Sequence, residues 1–246
     1  MEKPKRLYFD IETSFYIGWF WRPGYKINLP SSNIFHNAKV ICIGYKWEGE
    51  RAIHSLWWDK NQDDRRMLRD FIKVANEADE LIFHNGDKFD LPWVRTRCLL
   101  HGLEMPPSYK TTDTLKIARS KFRFPDNKLN TIAKYLGIGT KKRTTEELWL
   151  DIVMNKSERA ANKMDTYCKH DVRLLEKVYH KLAPHTEPKV HHGALMDGHD
   201  RGSCPHCGGV KGIYRRRLTS TPTGLLKAQY SCEGCGRWHT KTYKGE

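Results

Sequence analysis

The chain has 246 residues, is 39% hydrophobic and 29% charged, and carries 43 Lys and Arg against 29 Asp and Glu, a formal net charge of +14. That length holds one mid-sized domain plus a small one, and the composition suits a soluble globular protein. The basic balance favours a polyanionic partner, most simply nucleic acid. An acidic membrane surface is the alternative partner, but no basic amphipathic anchor stands beside a long apolar run. No signal-peptide apolar region opens the chain, and no segment reaches transmembrane length. Seven cysteines without an export signal, four of them in two C-x-x-C pairs, point to a reducing, cytoplasmic compartment and to metal binding rather than disulfides.

Residues 5–12 read as a strand in which Tyr8, Asp10 and Glu12 share one face and Leu7, Phe9 and Ile11 the other. Two carboxylates side by side repel and are costly to desolvate, so either they face water at a strand end or a cation lies between them. The segment 14–38 packs Phe15, Tyr16, Trp19, Phe20, Trp21 and Tyr25 close together. These aromatics either stack on unpaired bases or pack against a sheet edge. Residues 39–49 and 51–58 read as two strands joined by a tight turn at Glu48-Gly49-Glu50. Apolar residues at 67, 68, 71, 72 and 75 have helical spacing, and 80–85 is a fourth strand.

Helical patterns follow at about 90–101, 112–121, 128–136 and 145–154, the fourth preceded by a basic loop that ends at Lys142. A long helix starts after Ser157, a good N-cap, and runs to about Leu182. Strands followed by strand–helix alternation predict an α/β sheet with flanking helices. Asp87 and Asp90 both lie just past the fourth strand, and either can serve as an acidic ligand at the following helix. Asp113 stands at a strand-to-helix position and reads as an N-cap. Tyr167 and Asp171, four apart, lie on one helix face, whereas His170 points elsewhere. Acids from a strand, a helix start and a late helix can converge at one sheet edge, where Mg²⁺ or Mn²⁺ finds the oxygen ligands it prefers.

In this order, "FDIET", "HNGDKFDLPWV" and "YCKHD" resemble the three exonuclease motifs of the DEDD superfamily of 3′→5′ exonucleases, over roughly residues 5–182. The middle motif is most similar to the proofreading domain of family B DNA polymerases. The chain as a whole resembles the stand-alone exonucleases often carried by bacteriophages. The resemblance implies a ribonuclease H-like mixed sheet with flanking helices. It assigns the metal-binding acids to Asp10, Glu12, Asp90 and Asp171, with two Mg²⁺ or Mn²⁺ ions between them. Tyr167 matches the tyrosine of the Y-x-x-x-D subclass, because the histidine of the sister subclass is replaced here by Thr166. Asn85 matches an asparagine that contacts substrate. The activity so implied is metal-dependent 3′→5′ hydrolysis of nucleic acid, DNA before RNA, with a separate DNA polymerase or other replication protein as a partner. Two other readings stay open: a structure-selective endonuclease on the same fold, and a non-catalytic nucleic-acid-binding accessory protein.

Periodicity is lost over 182–203, which reads mostly as a linker; its histidines 185, 191, 192 and 199 read as solvated rather than as metal ligands. Beyond it, Cys204-x-x-Cys207 and Cys232-x-x-Cys235 have the spacing of a zinc ribbon and predict one structural Zn²⁺. The residues between them read as a hairpin with a turn near Pro222–Gly224. From Arg201 onward, nine Lys or Arg face two Asp or Glu, so half of the net charge lies here. Arg215, Arg216 and Arg217 are therefore candidate nucleic-acid contacts, with a protein-docking module as the alternative reading of the ribbon. The domains expected are 1–185 for the exonuclease, 186–200 for the linker and 201–246 for the ribbon.

Overall fold

The structure is a computed structural model that describes residues 5–25, 27–195 and 201–243. Its main sheet is built from β1 (Arg6–Thr13), β4 (Val40–Trp47), β5 (His54–Trp57), β6 (Glu80–Phe83) and β7 (Thr111–Asp113). The order is β5-β4-β1-β6-β7. The pairs β1–β4 and β4–β5 are antiparallel, and β1–β6 and β6–β7 are parallel. A two-strand ribbon of β2 (Ile17–Gly18) and β3 (Ile34–His36) stands apart. The helices are α1 (Arg65–Asn76), α2 (Asp90–Leu100), α3 (Thr114–Lys121), α4 (Leu129–Tyr135), α5 (Glu146–Val153), α6 (Glu158–Leu182) and the short α7 (His192–Leu195). The mixed sheet with flanking helices expected from the sequence is present. No described helix is long and apolar enough to cross a membrane.

Alternation along β1 divides the core as the spacing predicts. Leu7, Phe9 and Ile11 pack with α1 and α2, and the Phe9 ring lies 5.0 Å from Phe71 and 5.5 Å from Phe83. Tyr8 enters the opposite layer with α3, α4 and α6. Asp10 and Glu12 continue on that second face. Ser157 caps α6 by accepting the Ala160 N–H, and Cys42, Cys98 and Cys168 are buried packing residues.

The structure differs from the sequence reading in four places. Residues 111–113 form a strand rather than the start of a helix; only parallel pairing to β6 defines so short an element. The strand β5 starts at His54, leaving the exposed Arg51 and Ala52 in the loop. The aromatics of 14–25 are not core: Trp21 is 86% exposed and Tyr25 fully so. Finally, the stretch after α6 packs against the domain instead of running free. Val190 and His192 are buried, and His192 Nε2 lies 3.3 Å from Glu80 Oε2. His199 lies outside the described residues.

The C-terminal sheet is antiparallel, in the order β10 (Trp238–Thr242), β9 (Leu226–Cys232), β8 (Ile213–Ser220). It docks through β1's first residue. Buried Arg6 donates to Glu80 Oε2 at 3.1 Å, pairs with Glu48, and donates from Nη2 to the His206 carbonyl at 2.9 Å. Burial alone would raise the Glu80 carboxyl, but bonds from His192 and Thr112 and the Arg6 charge pull it down to about 2. The stability this adds is present above the ordinary value of 4.5 and is lost as pH falls from there towards 2. Arg237 lies over Tyr179 of α6, and Glu187 accepts the Thr240 N–H at 3.1 Å. Arg6→Ala strands two acids at this seam. It should cost about 3–5 kcal/mol, the usual cost of breaking a buried pair, read as a lower urea midpoint.

Candidate active site and metal centres

Three chain segments bring acids to one edge of the sheet. Asp10 and Glu12 come from β1, and Asp171 from α6 with 1% exposure. Carboxylate oxygens of these three lie within 4.8 Å of one another. The approach of α6 depends on Gly44, which pairs with Asp10 across β1 and β4. A Cβ there would stand 2.7 Å from Cys168 Sγ and 3.1 Å from Val172 Cγ2, so a side chain at position 44 would force the packed face of α6 to give way. Asp90, 2% exposed, opens α2, and its Oδ1 accepts the N–H of Ile11, the residue between Asp10 and Glu12. That bond is 3.1 Å long.

So many acids raise one another's proton affinity. Burial, then the neighbouring Asp171, lifts Asp10 to about 6, even though Lys141 works in the other direction. Burial and Asp10 raise Glu12 and Asp90 well above the ordinary carboxylate range. Asp171 Oδ1 is buried and has no protein partner. An orphaned carboxylate oxygen on a member of an acidic group suits a divalent cation with oxygen ligands.

The site holds one residue that sequence reading passed over. Lys141 Nζ donates to Asp171 Oδ2 at 2.7 Å and lies 5.7 Å from the centre of the Tyr167 ring. Burial would lower its pKa, but Asp10 and Asp171 hold it above the usual lysine range. Its loop is pinned from both sides: Asn130 accepts the Lys141 N–H, and His170 donates to the Thr140 carbonyl. Burial pushes the Tyr167 hydroxyl well above its ordinary value, with Asp171 and Glu12 adding to the shift.

Other candidates fall elsewhere. Asp87 bonds Lys116 and Thr111, away from the acids. Asp113 caps α3 through the Leu115 N–H and also accepts the Asn85 N–H at 2.8 Å. That second bond holds Asn85 at φ +70, in the turn that leads to Asp90. A second acidic group, Asp63, Asp64 and His101, is already engaged: Asp64 takes two bonds from Arg97 and one from Val40. Arg215, Arg216 and Arg217 lie on β8, an edge strand of the C-terminal sheet, and their contacts are within that sheet and its C-terminal end. A register shift between Arg215 and Arg217 turns Arg216 towards Ser231 and Arg217 towards Gln229, while Arg215 lies over Tyr243.

The sulfurs of Cys204, Cys207, Cys232 and Cys235 form a closed group, with Cys204–Cys235 and Cys207–Cys232 both 3.8 Å apart. Four sulfurs about 2.3 Å from a tetrahedral zinc stand ~3.8 Å from one another. The set therefore fits zinc. His206 bonds the Trp238 carbonyl and His239 stacks on Tyr230, so neither is needed as a ligand.

Comparison with known proteins gives the family and the fold. A family model described as the RNase_H superfamily matches residues 34–183, a span that holds Asp90, Tyr167 and Asp171. A DNA polymerase from Thermococcus aggregans is 25% identical over 199 residues, 77% of this chain and 9% of the polymerase. One from Pyrococcus glycovorans is 30% identical over 115 residues, 43% of this chain and 13% of the polymerase. The chain thus spans only a small part of the length of these relatives. Among solved structures, the family B DNA polymerase of Pyrobaculum calidifontis matches with a TM-score of 0.57 and 19% identity. That match covers 74% of this chain and 25% of the polymerase, and it shows a shared fold.

Proposed function

Because the chain belongs to the RNase_H superfamily, we propose that it is a metal-dependent 3′→5′ exonuclease acting on nucleic acid, with DNA preferred to RNA. The observation that carries this reading is the meeting of Asp10, Glu12 and Asp171 at 4.8 Å or less, with Asp90 bonded between the first two. Bound there, two Mg²⁺ or Mn²⁺ ions supply water activation and stabilise the departing oxygen of a phosphodiester. Asp10, Glu12, Asp90 and Asp171 would hold those ions. Tyr167 stays protonated at neutral pH, so it orients the attacking water by hydrogen bonding and does not remove its proton. Lys141 fixes Asp171 and places a positive charge beside the reacting phosphate. Asn85, held in its turn by Asp113, contacts the strand to be cut.

The polymerase relatives support DNA as the substrate and a separate polymerase or other replication protein as a partner. We divide the chain into an exonuclease unit at 1–185, a connecting stretch at 186–200 and a zinc ribbon at 201–246. Arg215, Arg216 and Arg217 give the ribbon a nucleic-acid contact. One gel tests the main reading. With Mn²⁺, a 5′-labelled single strand should yield a ladder shortening from its 3′ end, while closed circles survive. Equal cutting of circles would mark an endonuclease.

The ribbon has its own test. Cys204→Ser should release about one zinc per chain, as expected of a structural site, and open the β8–β9 hairpin to protease. The same variant should flatten the salt dependence of single-strand binding, where each phosphate contact contributes a slope of about −0.7.

A further inference from the structure

The segment between β1 and β4 is unlike the rest of the surface. Residues 14–38 contain seven aromatic side chains and no Asp or Glu. Most of those rings are in solvent: Trp19 is 46% exposed, Phe20 53%, Trp21 86%, Tyr25 100% and Phe35 60%. Exposed rings in such number mark a binding surface rather than a displaced core. Trp19 and Trp21 meet edge to face at 5.3 Å.

The patch is continuous with the acids. The strand β1 passes from Glu12 into it after one residue. On the other side, the Tyr16 ring lies 6.4 Å from Trp93, and Trp93 lies 6.3 Å from Phe89. Phe89 directly precedes Asp90, and Trp93 is three residues after it, so these rings stand within one helical turn of a site acid. Arg22 lies within the aromatic run, Lys88 beside Phe89 and Arg95 farther along α2.

We propose that this surface is a stacking platform for unpaired bases, one that leads a single strand into the acidic site. The inference rests on the nuclease reading and adds to it how the substrate is presented. Within 14–38 the rings have Arg22 among them and no carboxylate, a combination that suits the flat bases and anionic backbone of a single strand. In a paired duplex the faces of the bases are occupied by their neighbours, so blunt duplex gains nothing from the platform. A protein partner would use the apolar area but would gain nothing from the position next to the acids.

The test separates binding from cleavage. Anisotropy of 5′-labelled 20-mers is measured in EDTA for the full-length protein, on single-stranded DNA, blunt duplex and an abasic strand of the same length. Trp21→Ala and Tyr25→Ala should each weaken single-strand binding roughly 5- to 150-fold, the range for one lost base stack. Neither should alter duplex binding, and wild-type affinity for the abasic strand, which has no base to stack, should fall at least as far as that of the single variants. Both side chains lie in solvent, so the variants keep the core, and Trp21→Phe should restore most of the affinity. With Mn²⁺ the loss should appear in KM rather than in kcat. Variants that bind single strands as tightly as wild type, or abasic strands held as well as intact ones, overturn the platform. A wild-type protein that cuts nothing overturns the nuclease reading instead, and the anisotropy arms still decide the platform.

Discussion

Asp10→Ala should reduce cleavage to background, a loss on the order of 10⁴-fold, the scale seen when a group central to a reaction is removed. Asp10 lies in the acidic group itself, with a carboxylate oxygen within 4.8 Å of one from Glu12 and one from Asp171. The same substitution should make the metal-free protein more stable at pH 8. The Asp10 carboxyl titrates near 6 in the fold, above its ordinary 3.8. A raised folded pKa means that the native state binds the proton more tightly than the unfolded chain does. The penalty for ionising the group is therefore in full force above pH 6 and fades as pH falls from 6 to 4. Melting in EDTA should show Asp10→Ala above wild type at pH 8 and level with it near pH 4. Saturating Mn²⁺ should reverse the order at pH 8, because only wild type gains the binding energy of the ions. Equal melting temperatures at pH 8 would mean that the acids are not desolvated together.

Tyr167→Phe should lower kcat by about 10²–10⁴-fold, the range for a group that acts on a proton or positions water. The pH profile separates those two roles. Burial holds the Tyr167 hydroxyl protonated far into the alkaline range, so its removal should scale the profile without moving either limb. A general base would instead take one limb with it. Metal affinity should barely change, since the phenol is not a ligand. A single-turnover experiment at saturating Mn²⁺ reads the chemical step directly, and an unchanged rate there would remove Tyr167 from the reaction.

Much of the fold was legible because the sequence periodicities are strong. The alternation in β1 and the helical spacing at 67, 68, 71, 72 and 75 report which face is buried, and burial is what the structure shows. The α6 boundaries could be read from Ser157, since a cap acts locally. The features that escaped are set by distant partners. The strand β7 exists because β6 offers it a parallel edge, and three residues have no period of their own. Lys141 sits in a loop without pattern, and only Asn130 and His170, eleven and 29 residues away, aim it at Asp171. The Arg6–Glu80–His192 network joins segments 74 and 112 residues apart, so nothing in the local sequence marks it. The candidate acids could be named in advance because their order along the chain resembles a known motif set. Their convergence depends on Gly44, whose importance shows only when α6 lies across it.

The strand β1 is also a spacer of fixed length. Its first residue holds the ribbon, and its seventh is Glu12 at the acids. Six residues of extended chain span about 20 Å. On a helically stacked strand, at about 3.4 Å per nucleotide, that is roughly six nucleotides. The two ends of the protein would then measure a substrate: an oligonucleotide shorter than about six residues can fill the acids but leaves the ribbon bare, and each nucleotide removed from a longer strand shortens its reach until the ribbon lets go. Processive digestion of a long strand would pass into a slower, distributive regime at a length set by the backbone of a single β-strand.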